Sequence, residues 1–479
     1  MRVRFAPSPT GLLHIGNART ALANYLVAAK KKVPLVLRIE DTDQERSTKE
    51  FEQTIFNDLK WLGIKWSEAP DVGGNYGPYR QSERFDIYKK YTERLLAEGQ
   101  AYLCFCSTEE LDLMRQEAEK QNRPFVYPRK CLKLAETEKK KLLAQGRKPT
   151  IRFKVPDNQT VVIKDHIKGE VPFNSNNIGG DFIIVRSDGT PVYNYIVIID
   201  DALMKITHVI RGEDHLPNTP KQVLIGQALG LSIPEYAHHA LVLGEDRAKL
   251  SKRHGITSVA LYRKQGYLPE AITNYLALLG WAPSSGKEIL ALEDIVQEIE
   301  ISTLANTAAI FDFKKLKWMN SIYIRNYPLN QITDLFIPYI QETDYSLEKV
   351  NRSHLEDIIS IIRGNCEILS DIKDWIGLFL EDDFKPDEAA DLLLQEEGSQ
   401  KIIVAANKLL DQEISSHNFM TEIVPRIKEK TSCQGKNLFH PIRAMLTGKL
   451  QGPELDLALP IIGFTRCQRR IKSCFKRYC

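Results

Sequence analysis

Two short stretches carry residue types suited to handling phosphate. The first is Pro7-Ser8-Pro9-Thr10-Gly11-Leu12-Leu13-His14-Ile15-Gly16-Asn17. It sets an imidazole and a glycine where a loop would enter a helix. A helix N-terminus attracts anions through its free N–H groups and its dipole. Gly16 lets a flat base or a ribose approach the backbone. Alone, a His-x-Gly of this kind is more often an ordinary turn. The second stretch is Ala248-Lys249-Leu250-Ser251-Lys252-Arg253-His254-Gly255. Lysines three apart with a serine between them suit a mobile loop closing over phosphates, and read equally well as a solvated basic loop. A third set, Cys104, Cys106 and Cys131, offers three thiols to a metal. Structural zinc takes four ligands, so buried, unliganded cysteines are the slightly preferred reading.

The elements around these residues follow an α/β pattern. Residues 3–6 alternate like a strand. The proline-rich stretch 7–11 continues neither a helix nor a central strand, so it is a loop. Residues 15–30 are rich in Ala and Leu and predict a helix, and 33–39 predict a strand. Ser47 with Glu50 predicts a capping box opening a helix through residue 62. Strand, helix, strand, helix implies a βαβ unit on a parallel sheet. Helices are expected over 83–98, 108–121 and 135–148, and strands over 182–185 and 192–199 around a Ser187-Asp188-Gly189-Thr190-Pro191 turn. The α/β pattern resumes with a helix over 216–229, so residues 80–190 read as an insertion splitting an α/β domain. Helical patterns dominate from about 259. Residues 381–400 are strongly acidic and read as a solvated surface. The tail carries Arg466, Arg469, Arg470, Lys472, Lys476 and Arg477 without an acid. It could touch RNA phosphates, but a solvated helix end is the preferred reading.

Composition sets outer limits. The chain has 479 residues, 43% hydrophobic and 27% charged, which excludes a mostly disordered chain, a collagen and a small disulfide scaffold. Its 65 basic against 62 acidic residues leave a charge of +3, which neither demands nor excludes nucleic acid. No run approaches about 20 apolar residues, so no membrane-spanning helix is expected. The strand-like run directly after Met1 leaves no room for a targeting peptide. Eight cysteines in a large unsecreted chain suit a reducing compartment. The expectation is a soluble cytoplasmic protein.

Taken together, the two phosphate-suited stretches resemble the HIGH and KMSKS motifs of class I aminoacyl-tRNA synthetases, here His14-Ile15-Gly16-Asn17 and Lys249-Leu250-Ser251-Lys252-Arg253. Arg4-Phe5-Ala6-Pro7-Ser8-Pro9-Thr10-Gly11, Arg38-Ile39-Glu40-Asp41-Thr42-Asp43, Gly77-Pro78-Tyr79-Arg80-Gln81-Ser82 and Val209-Ile210-Arg211-Gly212-Glu213-Asp214-His215 resemble bacterial-type glutamyl-tRNA synthetases, in that family's order and spacing. Pro441-Ile442-Arg443-Ala444-Met445-Leu446-Thr447-Gly448 resembles its anticodon-binding region. The resemblance spans essentially the whole chain.

It implies an α/β Rossmann-type catalytic domain (1–80 and 190–240) with an inserted α+β acceptor-stem-binding domain (81–189). A stem-contact region with the KMSKS-like loop (241–325) and an all-α anticodon-binding region (326–479) would follow. The implied reaction attaches L-glutamate to tRNA-Glu through glutamyl adenylate, with ATP and Mg²⁺. By resemblance, His14, Lys249 and Lys252 are catalytic. Those three with Gly16, Asn17, Glu213 and His215 bind ATP. Arg4, Ser8, Glu40, Tyr193 and Arg211 bind glutamate, arginine being the natural fork for a carboxylate. Some relatives hold zinc through a Cys-x-Cys pair and a later Cys-x-His, but Lys133 stands where the histidine would be. A monomer is implied. Arg363 and Asn365 fall near the place where some relatives read the last anticodon base, and whether tRNA-Gln is also charged stays open. A glutaminyl-tRNA synthetase is disfavoured because it typically has Asp-Asp-Thr-Asn where this chain has Glu40-Asp41-Thr42-Asp43. A truncated glutamyl-queuosine-type enzyme or a small-molecule nucleotidyltransferase would not need the long helical half. A non-catalytic RNA-binding paralogue would be expected to lose His14, Lys249 and Lys252 first.

Overall fold

A computed structural model describes residues 1–348, 350–410 and 419–479, and at Lys252 the backbone alone. The chain forms two compact units. One comprises Met1–Arg263 with Ile272–Asp312, the other Lys264–Ala271 with Phe313–Cys479.

The first unit starts with β1 (Val3–Phe5), α1 (Ile15–Lys31), β2 (Leu35–Leu37) and α2 (Lys49–Trp61). β1 and β2 are parallel, with Val3 opposite Leu35 and Phe5 opposite Leu37. The intervening α1 repeats small and aliphatic residues at helical spacing, and Ala18, Leu22 and Leu26 are buried. Truncating a buried leucine of this kind costs about 2–5 kcal/mol, so this face fixes α1 and the loop that feeds it. The α2 cap differs from the expected one. Thr48, not Ser47, accepts the Phe51 N–H at 3.1 Å, because the helix starts one residue later.

The segment inserted next contains α3 (Phe85–Ala97), β3 (Ala101–Cys104), α4 (Thr108–Lys120), α5 (Glu136–Ala144), β4 (Thr150–Phe153), β5 (Thr160–Asp165), β6 (Gly169–Asn174) and β7 (Phe182–Val185). β3, β4 and β7 form an antiparallel sheet. The hairpin β5–β6 instead joins a second sheet. After α6 (Tyr193–Leu203), β8 (His208–Gly212), α7 (Thr219–Ala228) and β9 (Glu235–His239), the strand order is β6-β5-β9-β8. β8 and β9 are parallel, as are β5 and β9. The Arg2 carbonyl accepts from Thr207 N and His208 N at 3.0 and 3.2 Å, which sets β1 beside the start of β8. The result is a Rossmann-like α/β body with an insertion, as the sequence implied.

One element changes type. Residues 192–199, expected as a strand, form most of α6. Tyr195, Ile196, Val197, Ile198, Ile199 and both aspartates, Asp200 and Asp201, are buried. A helix covered on all sides shows no polar face, so its continuous apolar run is indistinguishable from a buried strand.

The second unit is helical among its described residues. Its core gathers Ile358, Ile402, Ala406, Ile442, Met445 and Ile471, all fully buried. The basic tail is the helix Phe464–Tyr478, and it is not a free solvated end. Arg466 and Arg477 pair with Asp382 and Asp391 at 3.2 and 2.8 Å, and Arg469 also pairs with Asp382. Arg470 is fully buried and donates to the carbonyls of Leu446, Leu378 and Glu381 at 2.7–2.8 Å. The acidic stretch and the basic tail, read separately as solvated, are in part partners. Arg363–Asn365 form a single 3-10 turn, and Arg363 donates to the Tyr327 carbonyl at 2.9 Å. Among the described residues no helix is long and apolar enough to cross a membrane.

Candidate active site

A cleft of about 520 Å³ opens at the C-terminal ends of β1, β8 and β9, where open α/β sheets bind ligands. Its wall includes Arg4, Ser8, His14, Gly16, Asn17, Glu40, Tyr193, Arg211, His215 and Lys249. Residues spread from position 4 to position 249 thus converge on one space. Glu213 is not in that wall. Its carboxylate accepts from Lys168 Nζ at 2.6 Å and from Leu241 N at 3.2 Å. The side chain of Lys252 lies outside the described residues.

His14 is the N-cap of α1, and its Nδ1 accepts the Gly16 N–H at 3.1 Å. An accepting Nδ1 places the ring proton of neutral imidazole on Nε2. The loop is tied to the segment following the basic loop: Ile15 N donates to Thr257 O at 2.7 Å and Val259 N to Leu13 O at 3.0 Å. The first phosphate-suited stretch is therefore bonded to the chain just beyond the second. The basic loop hangs from a turn in which Gly244 N donates to Ala248 O at 2.9 Å and Leu250 N to Val242 O at 3.0 Å. Asp246 pairs with His254 and Arg253 at 3.0 and 2.8 Å. Lys249 Nζ meets Asp214 at 2.7 Å and stays largely exposed.

The floor is a buried charge network. Arg38 is fully buried. It donates to Asp201 at 2.7 Å and to Glu40 at 3.1 Å, and its Nε lies 3.9 Å from Asp200. Arg4 Nε reaches Asp201 at 3.4 Å. Asp200 is held by Arg84, Tyr88 and Gln81 at 2.7, 2.8 and 2.9 Å. Burial pushes the Asp201 carboxyl up, but Arg4 and Arg38 outweigh it and hold the group below the ordinary carboxylate range. Burial lifts Glu40 above that range despite Arg38 and Arg4. Glu40 is therefore the less committed carboxylate and the one facing the cleft. His215, beside Tyr193 (hydroxyl to Nδ1 3.2 Å), is pushed down to about 4 by burial and by Arg211, so it is neutral near pH 7. Asp41 extends the network outward by accepting from Ser82 N and Oγ at 2.8 and 2.6 Å. This ties the Arg38–Asp43 stretch to the Gly77–Ser82 stretch.

Several wall and floor residues were not singled out in the sequence. They are Arg38, Asp201, Arg19, Asp214 and His239. Arg38 and Glu40 are two apart in an extended segment, a spacing that puts both side chains on one face, and this was a readable signal. The Asp200-Asp201 pair inside an apolar run was another.

Away from the cleft, Cys104, Cys106 and Cys131 bring their sulfurs within 4.8 Å of one another. Cys106 and Cys131 sulfurs are 3.6 Å apart, and the Tyr127 hydroxyl lies 3.5 and 3.4 Å from Cys104 and Cys106. Tetrahedral zinc with Zn–S near 2.3 Å sets sulfurs about 3.8 Å apart, so the thiol spacing suits that ion, with three cysteines and the Tyr127 hydroxyl as the groups at hand.

Comparison with known proteins gives the family. Residues 1–318 match the family model for tRNA synthetases class I (E and Q), catalytic domain, and residues 331–475 match an anticodon binding domain. The chain is 46% identical to a glutamate–tRNA ligase of Carboxydothermus hydrogenoformans, over 99% of this chain and 100% of that one. It is 44% identical to the Aquifex aeolicus glutamate–tRNA ligase over 98% of each. The crystal structure of a glutamate tRNA ligase from Elizabethkingia meningosepticum, in complex with its amino acid, matches all of both chains with a TM-score of 0.88 at 34% identity. The chain belongs to the class I tRNA synthetases of the glutamate and glutamine group. Its activity within that group is ATP-dependent ligation of glutamate to tRNA, and its helical C-terminal region is the anticodon-binding part.

Proposed function

We propose that the cleft divides into an amino-acid end and a nucleotide end. Arg211 and Arg4 take the side-chain carboxylate of glutamate, Glu40 its ammonium group, and Ser8 and Tyr193 fill the pocket around it. His14, Lys249 and Lys252 contact the ATP phosphates, with Gly16, Asn17 and His215 beside the nucleoside. Glu213 acts through Lys168 and the Leu241 backbone rather than by touching ATP. The glutamate α-carboxylate then attacks the α-phosphate, expelling pyrophosphate, and the terminal adenosine 2′-hydroxyl of tRNA displaces AMP from the adenylate. Neither step needs a protein nucleophile, so positioning and charge neutralisation carry the catalysis. Mg²⁺, when bound with ATP, supplies further neutralisation of the phosphates.

One observation carries the amino-acid assignment. Arg211 Nη1 is buried with no hydrogen-bond partner among the described residues, on a guanidinium that lines the cleft. A buried donor left unpaired costs about 1–3 kcal/mol, and a substrate carboxylate would satisfy it. Arg211→Ala is expected to raise the glutamate KM far more than the ATP KM. Equal changes in both would remove Arg211 from the amino-acid end.

The spacing of the three thiols supports a structural zinc ion held by Cys104, Cys106 and Cys131, with the Tyr127 hydroxyl beside it. Purified protein is expected to carry about one zinc per chain, and Cys106→Ser to lose it with activity largely kept. Metal-free wild-type protein with unchanged stability would leave the cysteines as core residues. The remaining reading is a cytoplasmic monomer that charges tRNA-Glu. Eight free cysteines support a reducing compartment. Charging of separate tRNA-Glu and tRNA-Gln transcripts with labelled glutamate tests the tRNA assignment. Charging of both would mean a non-discriminating enzyme.

A further inference from the structure

Arg211 and His238 sit opposite each other on the parallel strands β8 and β9. The guanidinium is held on two edges. Its Nε donates to His238 Nε2 at 3.1 Å, and its Nη2 donates to Thr219 Oγ1 and Gln222 Oε1 at 2.8 and 2.9 Å. The ring of Tyr236 lies 5.4 Å from its central carbon. Among the described residues, Nη1 alone has no partner. The whole arrangement depends on His238 Nε2 being an acceptor, which requires the ring proton on Nδ1.

Asp165 supplies the reason for that tautomer. Its Oδ2 lies 2.6 Å from His238 Nδ1, and both side chains are fully buried. Its Oδ1 accepts the N–H groups of Ile167 and Lys168, each at 2.9 Å, and the His238 N–H lies 3.1 Å from Oδ2. Burial alone would raise this carboxyl, but the His238 bond and the two backbone donors hold it at about 2, so it is an acceptor on every side. Asp165 ends β5, in the inserted hairpin, whereas Arg211 and His238 belong to the catalytic strands.

We propose that Asp165 is a positioning residue for amino-acid selection: by holding the His238 proton on Nδ1 it turns Nε2 toward Arg211 and leaves Nη1 aimed at the substrate carboxylate. The inserted hairpin thus completes the glutamate pocket without touching glutamate. This rests on the assignment of Arg211 to the substrate carboxylate made above.

Asp165→Asn keeps the shape and changes the hydrogen bonding. The asparagine oxygen stays with the backbone N–H groups of Ile167, Lys168 and His238, so its NH₂ faces the His238 ring. Nδ1 must then accept, the ring proton moves to Nε2, and two donors meet at Arg211. The glutamate KM is expected to rise about 10- to 100-fold with the ATP KM within about twofold, the effect of one mispaired buried group. Imidazole ¹⁵N shifts give a second readout: Nδ1–H for His238 in the wild-type protein, Nε2–H in Asp165→Asn. An Nε2–H tautomer in the wild type would overturn the proposal even if the variant failed to fold. So would an unchanged glutamate KM in Asp165→Asn, provided Arg211→Ala raises it. If Arg211→Ala also left that KM unchanged, the fault would lie with the Arg211 assignment and the proposal would fall with it.

Discussion

Replacing Asp201 by asparagine tests the buried network that shapes the amino-acid end. Three guanidiniums (Arg4, Arg38, Arg84) and three carboxylates (Glu40, Asp200, Asp201) form one network in which Arg4 and Glu40 line the cleft, and all six are buried. Asp201→Asn removes one negative charge with little change in volume. Arg38 and Arg4 both donate to Asp201 Oδ1, at 2.7 and 3.4 Å; asparagine keeps an acceptor there but not the charge, leaving one buried positive charge in excess. Breaking a buried pair by removing one partner costs about 3–5 kcal/mol. Arg38 is then left with Glu40 and the more distant Asp200, and draws Glu40 away from the substrate ammonium. The expected result is a loss of about 3–5 kcal/mol in the urea unfolding transition of the catalytic unit. The glutamate KM should also rise at least about tenfold, from the loss of one charge-assisted bond, while the ATP KM hardly moves. A stability loss below about 1 kcal/mol with an unchanged glutamate KM would refute the reasoning, because Asp201 would then behave like an exposed pair.

Lys252→Ala and Lys249→Ala are each expected to slow adenylate formation by about 10²–10³, as the loss of one transition-state donor does, while tRNA binding in a filter assay stays within about twofold; wild-type exchange rates would detach the loop from the phosphates. His215 is held down to about 4 when folded, below its ordinary value near 6.5. Stability from its neutral form is therefore full above about 6.5 and lost as pH falls through about 4, by at most about 3 kcal/mol. His215→Asn should flatten that acid-side decline, and an unchanged profile would mean His215 is not the group responsible. Arg470→Ala leaves three carbonyls without their donor and should destabilise the helical unit by about 3–5 kcal/mol; a shift under about 1 kcal/mol in its melting would show that water replaces the guanidinium.

Legibility in the sequence followed how local each signal was. α1 announced itself because its run of Ala and Leu, strong helix formers, is a purely local signal. α6 did not, since its neighbours bury it on every side and erase the periodicity that tells helix from strand. The cleft residues were legible through their motifs, yet what holds them is not local. Arg38 meets Asp201 across 163 positions and Asp165 meets His238 across 73. A lone buried aspartate at a strand end carries no spacing that points to its partner. The tail misled for the same reason: Arg466 and Asp382 are 84 residues apart, so each reads as solvated until the fold joins them. Glu213 sits inside a recognisable stretch, but neighbours within a motif can face different ways.

The most direct test of the amino-acid site is the ratio of kcat/KM for glutamate over glutamine in tRNA charging, measured for the wild type and for Arg211→Ala. A site built to pair a carboxylate rejects the neutral analogue by about 10⁴ or more, because its buried donor is left unmatched. The expected result is a large ratio in the wild type that falls toward unity in Arg211→Ala, chiefly through loss of glutamate turnover. A ratio that Arg211→Ala leaves intact would contradict the assignment of glutamate selection to this guanidinium.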